Sequence, residues 1–258
     1  MKTFISPGSW FRFDYPDEWF EFEDESDDFL FYNPDRWSGN FRISAFRGRG
    51  KGYGADCLRE ALHDGGRRVH VGAYDAVYSE ERFREEGHEY VDSHWVVAHE
   101  TTCVECSFTR AADASAAVGE QLVQSLCINA EGHWFPRTLI APRLLEQMEV
   151  DEAYNTLEQL ARKAVKGKFT ELEPTLAVLQ RLAESPAFQK MGQEGWQALG
   201  LTCCALLADD LEGYEWRTLV DGPCEQPLLV TPSGNTLDPY TLFAPGQKAE
   251  TAKVLEAE

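Results

Sequence analysis

The sequence predicts an α+β protein in which a helix-covered antiparallel sheet precedes a mostly helical domain with a small β-sheet. Residues 12–46 alternate aromatic and polar side chains at the period of two that strands require, with turn residues between the segments. Up to residue 130 the elements follow the order strands, helix, strands, helix, which is typical of a sheet covered by helices. Beyond residue 148, apolar residues recur mainly at helical spacing.

The first strands are predicted around residues 12–46. Their alternating aromatic residues are Phe11, Phe13, Tyr15, Phe20, Phe22, Phe29 and Phe31. Pro16, Pro34 and Gly39 lie between the alternating segments, where their backbone angles suit turns. We therefore expect a meander of three or four short antiparallel strands.

The rest of the N-terminal half switches between the two periodicities. Helices are predicted at residues 55–63 and 112–126, and strands at residues 67–77 and 90–109, the latter as one or two strands. The acidic segment 79–87 breaks the alternation and predicts an exposed connection between strands. We assign residues 1–130 to this sheet domain.

Residues 131–148 contain prolines and a glycine but little periodicity, which predicts a linker. The second domain, residues 149–258, is predicted to be helical with short C-terminal strands. Its helices are expected at about residues 150–164, 172–184 and 187–211, and its strands at residues 214–220, 227–230 and 235–243. The third helix is the most apolar, so we expect it to be buried.

The charge balance restricts the classes of partner. The 44 acidic and 24 basic residues give a formal net charge of -20. Such a field repels phosphate backbones and anionic lipids, so we expect neither nucleic acid nor a membrane surface as a partner. A basic protein is the expected partner, and the alternative is that the charge serves solubility alone.

Cysteine usage and hydropathy suggest a compartment. Seven cysteines in 258 residues lack the dense, even pattern of a disulfide framework. No segment has the apolar length of a signal peptide or of a transmembrane helix. We therefore expect a cytoplasmic protein with reduced thiols, whose oligomeric state is left open.

Three segments carry a family resemblance in the first half, namely residues 13–19 (FDYPDEW), 29–32 (FLFY) and 41–44 (FRIS). Through these segments, the first half of the chain resembles the PsbP-like fold family. This family includes a photosystem II extrinsic protein, a nuclear-transport factor that binds the GTPase Ran, and bacterial proteins that serve secreted effectors. The resemblance implies an α/β/α sandwich used mainly for protein binding. The second half resembles an uncharacterised bacterial domain family through Leu199-Gly200 and residues 213–216 (GYEW) and 220–222 (VDG).

The motifs in the sequence predict no catalytic residue, no cofactor and no metal site. Cys103 and Cys106 form a CxxC pair, but residues three apart on a strand point to opposite faces, so we expect structural cysteines. The glycine-rich segment 48–54 lacks the spacing of phosphate-binding loops. We interpret this segment as a flexible connection. Two alternatives stay open, namely that it contacts a phosphate or that it contacts an acidic residue of a partner.

An acidic run is the predicted protein-binding edge. Its members are Asp17, Glu18, Glu21, Glu23, Asp24, Glu25, Asp27 and Asp28. Charges along an edge strand discourage aggregation between strands, and they also raise association rates with a basic partner. Both interpretations remain open from the sequence.

Three functional hypotheses follow. The first is a non-enzymatic bacterial protein that binds a basic protein, such as a secreted effector, through the acidic aromatic sheet of the first domain. The second is an enzyme or small-ligand binder that uses a cleft between the domains, with Trp196, Trp216 and Asp221 as its speculative lining. The third is a structural module.

Overall fold

The computed structural model describes residues 1–24, 28–50, 52–164, 175–186, 190 and 192–244. The chain divides into two compact units. The first contains Met1–Ile140 and Val220–Glu225, and the second contains Ala141–Leu219 and Gln226–Glu258. The predicted α+β class is confirmed, because the N-terminal region is mainly antiparallel sheet and the C-terminal region is more helical.

The first unit consists mainly of two antiparallel sheets and two α-helices. Its strands are β1 (Lys2–Ile5), β2 (Phe11–Tyr15), β3 (Phe20–Phe22), β4 (Phe29–Tyr32), β5 (Asn40–Arg47), β6 (Arg67–Val71), β7 (Tyr74–Glu85), β8 (His88–His99), β9 (Thr102–Ala111), β10 (Cys127–Ile128) and β11 (Thr138–Ile140), and its helices are α1 (Tyr53–His63) and α2 (Ala117–Gln124). One sheet has the strand order β3-β4-β5-β9-β8-β7-β6, and the other has the order β1-β2-β10.

The main core of the first unit lies on one face of the seven-stranded sheet. The alternation in β2 buries Phe11, Phe13 and Tyr15 and exposes the residues between them. The ring of Phe13 lies 5.1 Å from that of Phe31 on β4 and 5.3 Å from that of Phe41 on β5, measured between centroids. Residues of β1, β2, β10 and α2 complete this core. We call this side of the seven-stranded sheet the core face and the opposite side the open face.

Helix α1 packs on β7, β8 and β9, at one end of the open face. Glycine is needed at Gly54, because a Cβ there would lie 2.9 Å from the carbonyl oxygen of Glu100 and 3.0 Å from the Cβ of Ala98. Two backbone hydrogen bonds attach the glycine-rich segment to the β8–β9 turn, from Gly48 N to the Thr101 oxygen (3.1 Å) and from Gly54 N to the Glu100 oxygen (3.2 Å). The described part of this segment is therefore docked on the sheet, and its glycines permit close packing.

Three sequence predictions in this unit are wrong. Residues 67–77 form two strands rather than one, since the chain turns at Gly72 between β6 and β7. The acidic segment 79–87 is mostly strand β7, and only Glu86 and Gly87, both with positive φ, form the turn to β8. Strand β2 does not join the meander of β3, β4 and β5, because it pairs with β1 and β10 instead.

The second unit is mainly helical. Its helices are α3 (Leu144–Ala164), α4 (Leu176–Glu184), α5 (Gly192–Asp210) and α6 (Pro239–Leu242), and its strands are β12 (Glu215–Asp221), β13 (Cys224–Val230) and β14 (Thr236–Leu237). The tip of the β12–β13 hairpin, Val220–Glu225, belongs to the first unit. Residues 131–148, predicted as a linker, include β11 and the beginning of α3.

Helix α5 is the buried helix that its composition predicts. Leu199, Cys203 and Cys204 are fully buried in a core that α3, α4 and β13 share. The two cysteines therefore fill the core, as expected. Among the described helices of the chain, none combines the length and apolar character needed to cross a membrane.

Candidate functional site

The open face carries polar side chains where α1 does not cover it. Cross-strand pairing aligns them in two neighbouring rows, one with Arg42, Ser107, His94 and Ser79, and one with Asn40, Thr109, Asp92 and Glu81. Directly opposed side chains on an antiparallel sheet lie about 4.5–5.5 Å apart at Cβ. The sheet therefore holds these groups in a fixed array on four adjacent strands.

Asp92 and His94 form the centre of this array. They are two residues apart on β8 and therefore share a face. The Nε2 of His94 lies 3.1 Å from Oδ2 of Asp92, and Thr109 donates its hydroxyl to Oδ1 of Asp92 over 3.1 Å. The hydrogen bond to Asp92 raises the pKa of His94, and the carboxylates of Glu81 and Glu105 add to this rise, while burial opposes it. The pair thus favours a protonated histidine.

A concentration of negative charge lies around Glu105 on β9. Its pKa is raised first by partial burial and then by the nearby carboxylates of Asp28 and Glu60. Asp28 immediately precedes β4, and Glu60 belongs to α1, so the acids that act on one another here come from three separate parts of the chain. Carboxylates that repel one another in this way are stabilised by a cation.

The neighbouring base Arg42 is already paired. Its Nε lies 2.5 Å from Oδ2 of Asp24, and the two side chains are 33% and 12% exposed, respectively. The guanidinium group of Arg42 lies one row away from Glu105 and already has Asp24 as its ion-pair partner.

A strip of aromatic rings continues the array toward the β7–β8 turn. Phe83 stacks on Tyr90 with 5.4 Å between the ring centroids, and Trp37 meets Tyr90 edge to face at 6.1 Å. Phe83 is 36% exposed and Trp37 is 44% exposed. The open face thus combines carboxylates with accessible aromatic surface.

The structure distributes the predicted acidic edge over several environments. Asp17 accepts a hydrogen bond from the N-terminal ammonium group over 2.8 Å, and Glu18 and Glu23 are exposed. The cross-strand partner of Glu21 is the buried Phe31 on β4. Glu21 therefore lies on the core-face side of the edge strand β3.

The remaining members of this run divide into two groups. Asp24 and Asp28 are the ones that reach the open face, through Arg42 and Glu105. Glu25 and Asp27 lie outside the described residues. A docking role for the run stays a prediction.

The residues of the speculative cleft belong to different units. Trp196 and Trp216 are partly buried and both pack against the core of the second unit. Asp221 belongs to the first unit, where its Oδ2 lies 3.2 Å from Nε of Arg137. Their role as the lining of a cleft stays a prediction.

The CxxC cysteines lie on opposite faces of β9, as the alternation predicts. Cys106 is opposite Trp95 on the core face, whereas Cys103 is on the open-face side, under α1, and interacts with Cys57. Burial raises the pKa of both thiols, which makes thiolate formation unfavourable. Within the described ranges, no three or more histidine, cysteine or carboxylate side chains cluster in a way that could hold a metal ion.

Two family models match the chain. Residues 1–151 match a domain of unknown function, DUF3805, and residues 175–253 match another, DUF3806. Because the first match covers more than half of the sequence, this chain belongs to the DUF3805 family. The expectation of an uncharacterised domain family in the second half is supported at this level.

The chain is similar to solved structures. A crystal structure from Bacteroides thetaiotaomicron VPI-5482 is 36% identical, with a TM-score of 0.85 and coverage of 98% of each chain. LpqN of Mycobacterium tuberculosis, described as involved in cell envelope biogenesis, is 12% identical with a TM-score of 0.35 over 46% of this chain and 83% of its own.

Cyanobacterial PsbP (CyanoP) from Synechocystis sp. PCC 6803 is also 12% identical, with a TM-score of 0.29 over 50% of this chain and 92% of its own. Likenesses as low as those to LpqN and CyanoP carry no argument, so the PsbP-like resemblance stays a prediction. No curated protein matches the chain.

Sequence reasoning did not select the residues at the centre of the open face. Asp92, His94 and Glu105 lie in segments that were predicted as strand, and the alternation alone places Asp92 and His94 on one face. Their neighbours on other strands follow only from the register, which the Glu100-Thr101 turn between β8 and β9 sets. That turn lacks the glycine or asparagine residues that signal a hairpin.

Proposed function

We propose that this protein is a non-enzymatic binding module that docks a basic protein on the open face of its seven-stranded sheet. The observation that supports the proposal best is the electrostatic repulsion of Glu105 by Asp28 and Glu60, which lie in separate parts of the chain. Such a site attracts a lysine or arginine side chain, because the cation relieves the repulsion among the carboxylates.

The charge of the whole chain supports the same partner class. A net charge of -20 attracts a basic protein over long range and raises the rate of encounter. Arg42 and His94 lie diagonally next to Glu105, and each is already paired with its own aspartate. His94 also acts on Glu105, but its effect on the pKa of Glu105 is smaller than that of either Asp28 or Glu60, so an incoming cation is still favoured there.

A titration with a fluorescent hexalysine peptide tests the proposal. At about 20 mM salt, where screening is weak, the wild-type protein is expected to bind the peptide, and at about 200 mM salt the affinity should fall. The Asp28→Asn/Glu105→Gln variant should weaken binding about five-fold or more at low salt, because two short-range charge contacts are lost.

A matched control removes the same charge elsewhere. Asp151→Asn/Glu152→Gln neutralises two exposed acids on α3 and should change the affinity less than about two-fold, through the long-range field alone. Absence of binding to the wild-type protein at low salt, or an equal loss in both double variants, would overturn the proposal. The rival hypothesis of a ligand cleft between the domains stays a prediction.

A further inference from the structure

A depression of about 480 Å³ lies beside the β7–β8 turn, at the end of the aromatic strip. Trp37 and Tyr90 line it, with their rings edge to face. Ala111 is the cross-strand partner of Tyr90, and its methyl group leaves the space beside the tyrosine ring unfilled. The depression therefore results from a small residue placed opposite a large aromatic residue.

The aromatic wall is held in place before any ligand arrives. The indole Nε1 of Trp37 donates a hydrogen bond to Oδ1 of Asn40 over 2.6 Å. Tyr90 is fixed on its other side by the stacked ring of Phe83. A ligand that lies against these rings would restrict few side-chain rotations that are free beforehand, and this small loss of conformational entropy favours binding.

Two acidic residues, Asp113 and Glu89, line the depression together with His88. Asp113 is exposed there, and within the described part of the chain it makes no hydrogen bond or ion pair. Glu89 also lines the depression, and it accepts a hydrogen bond from Nε of Arg84 over 3.0 Å. Asp113 is therefore the carboxylate that can pair with a ligand without breaking an existing ion pair.

We infer that this depression binds an arginine side chain of the basic partner, an inference that rests on the proposed function. A guanidinium group is planar and can stack on Trp37 or Tyr90 while it forms two parallel hydrogen bonds to the carboxylate of Asp113. The ammonium group of lysine is a compact point charge that cannot do both. The depression therefore adds a preference for arginine to the general attraction for bases.

Two fluorescent peptides, hexa-arginine and hexalysine, test the inference at low salt with the full chain. The wild-type protein should bind hexa-arginine about two- to five-fold more tightly than hexalysine, the factor expected for an exposed cation–π contact. Trp37→Ala should abolish this preference, and Asp113→Asn should weaken hexa-arginine binding more than hexalysine binding. Trp134→Ala is the matched control, because Trp134 is also 44% exposed but does not line the depression.

The outcomes separate this inference from the proposed function. If neither peptide binds, the proposed function fails, and this inference fails with it. If both peptides bind equally, or if Trp37→Ala and Asp113→Asn leave the preference unchanged, the inference alone is overturned. If circular dichroism shows that the Trp37→Ala variant does not fold, the preference for arginine is tested with the exposed Asp113→Asn variant instead.

Discussion

At Gly200 of α5, a side chain as small as a methyl group would lie 1.8 Å from the carbonyl oxygen of Pro239 in α6. Neither the helix nor the carbonyl can move aside without disturbing the core of the second unit. Gly200 also belongs to the Leu199-Gly200 pair through which the second half resembles its family. The spacing of α5 and α6 explains a glycine in the middle of a buried helix.

We predict that Gly200→Ala lowers the free energy of unfolding by about 1–3 kcal/mol, because overpacking outweighs the better helix propensity of alanine. Urea denaturation measures the change. Gly52→Ala is the control, since its φ is -92° and a Cβ there would contact nothing within 4 Å. Equal stability of the two variants would show that the close approach carries no energetic cost.

The Asp92–His94 pair gives a prediction about pH. The hydrogen bond that His94 donates to the Asp92 carboxylate raises the pKa of His94, so Asp92→Asn should lower that pKa. A histidine whose pKa is raised in the folded state stabilises the fold at pH values below its unfolded pKa of about 6.5, and this contribution disappears as the pH rises through the folded pKa. Asp92→Asn should therefore cost more stability at pH 5.5 than at pH 8.

Titration of the His94 imidazole by NMR measures the pKa shift directly. Asp64→Asn, at the end of α1, is a suitable control because Asp64 pairs with His63 instead. An unchanged His94 pKa in Asp92→Asn would contradict the role that we assign to the hydrogen bond.

At the scale of elements, a buried polar contact joins α3 to β12 within the second unit. Arg143, just before α3, and Glu146, in its first turn, form an ion pair with side chains only 2% and 4% exposed. Thr218 of β12 donates its hydroxyl to Oε2 of Glu146 over 3.0 Å. The carboxylate at the beginning of the helix is also favoured by the helix dipole.

We predict that Glu146→Gln destabilises the protein by about 3–5 kcal/mol, because the variant loses the buried ion pair between Arg143 and Glu146 but keeps the arginine charge buried. The Arg143→Met/Glu146→Gln variant should recover much of this loss, since neither charge of this pair is then buried. Urea denaturation of both variants measures the difference.

The control is the exposed ion pair between Arg162 and Glu158 on the same helix, with 2.8 Å between Nη2 and Oε1. Glu158→Gln should change the free energy of unfolding by less than about 1 kcal/mol. A cost for Glu146→Gln no larger than that for Glu158→Gln would refute the importance of burial.

Elements also show how far sequence reasoning extends. The period of two identified β2 and β5, because their buried apolar residues alternate with exposed or half-buried ones. The charged half of β7 escaped detection, because seven consecutive exposed residues give no periodic signal. This part of β7 is held as a strand by its pairing with β8, and its own side-chain pattern does not predict it.

For the whole molecule, the net charge of -20 gives a prediction about salt. Repulsion among like charges destabilises a compact chain, and salt screens it over a Debye length of about 10 Å at 0.1 M. We predict that raising sodium chloride from about 20 to 200 mM increases Tm by a few degrees at neutral pH.

Differential scanning calorimetry measures this effect. The salt dependence should be much weaker close to pH 4.7, the isoelectric point, where the net charge approaches zero. A Tm that falls with salt at neutral pH would indicate that attractive surface ion pairs outweigh the net repulsion. Binding of a basic partner should show the opposite trend, because salt screens attraction as well.

The candidate site could be predicted from the sequence only in part. The acidic run that contains Asp24 and Asp28 was predicted as a docking edge, which stays a prediction, and the aromatic character of the sheet was predicted as well. The neighbours of that run were not found, because Glu60 and Glu105 are distant from Asp28 in the sequence. Trp37 and Asp113 likewise come together only when β4, β5, β8 and β9 pair.

Four properties could be predicted from the amino-acid sequence alone: the α+β class, the strand character of the aromatic segments, the burial of α5 and the negative charge. These properties depend on composition and on local periodicity, which any short window of the chain contains. The fold was needed to learn that β2 leaves the meander, which face of the sheet stays open, and which carboxylates act on one another there. Those outcomes depend on strand order and register between distant segments, and the free energy that selects them comes from burying one shared core.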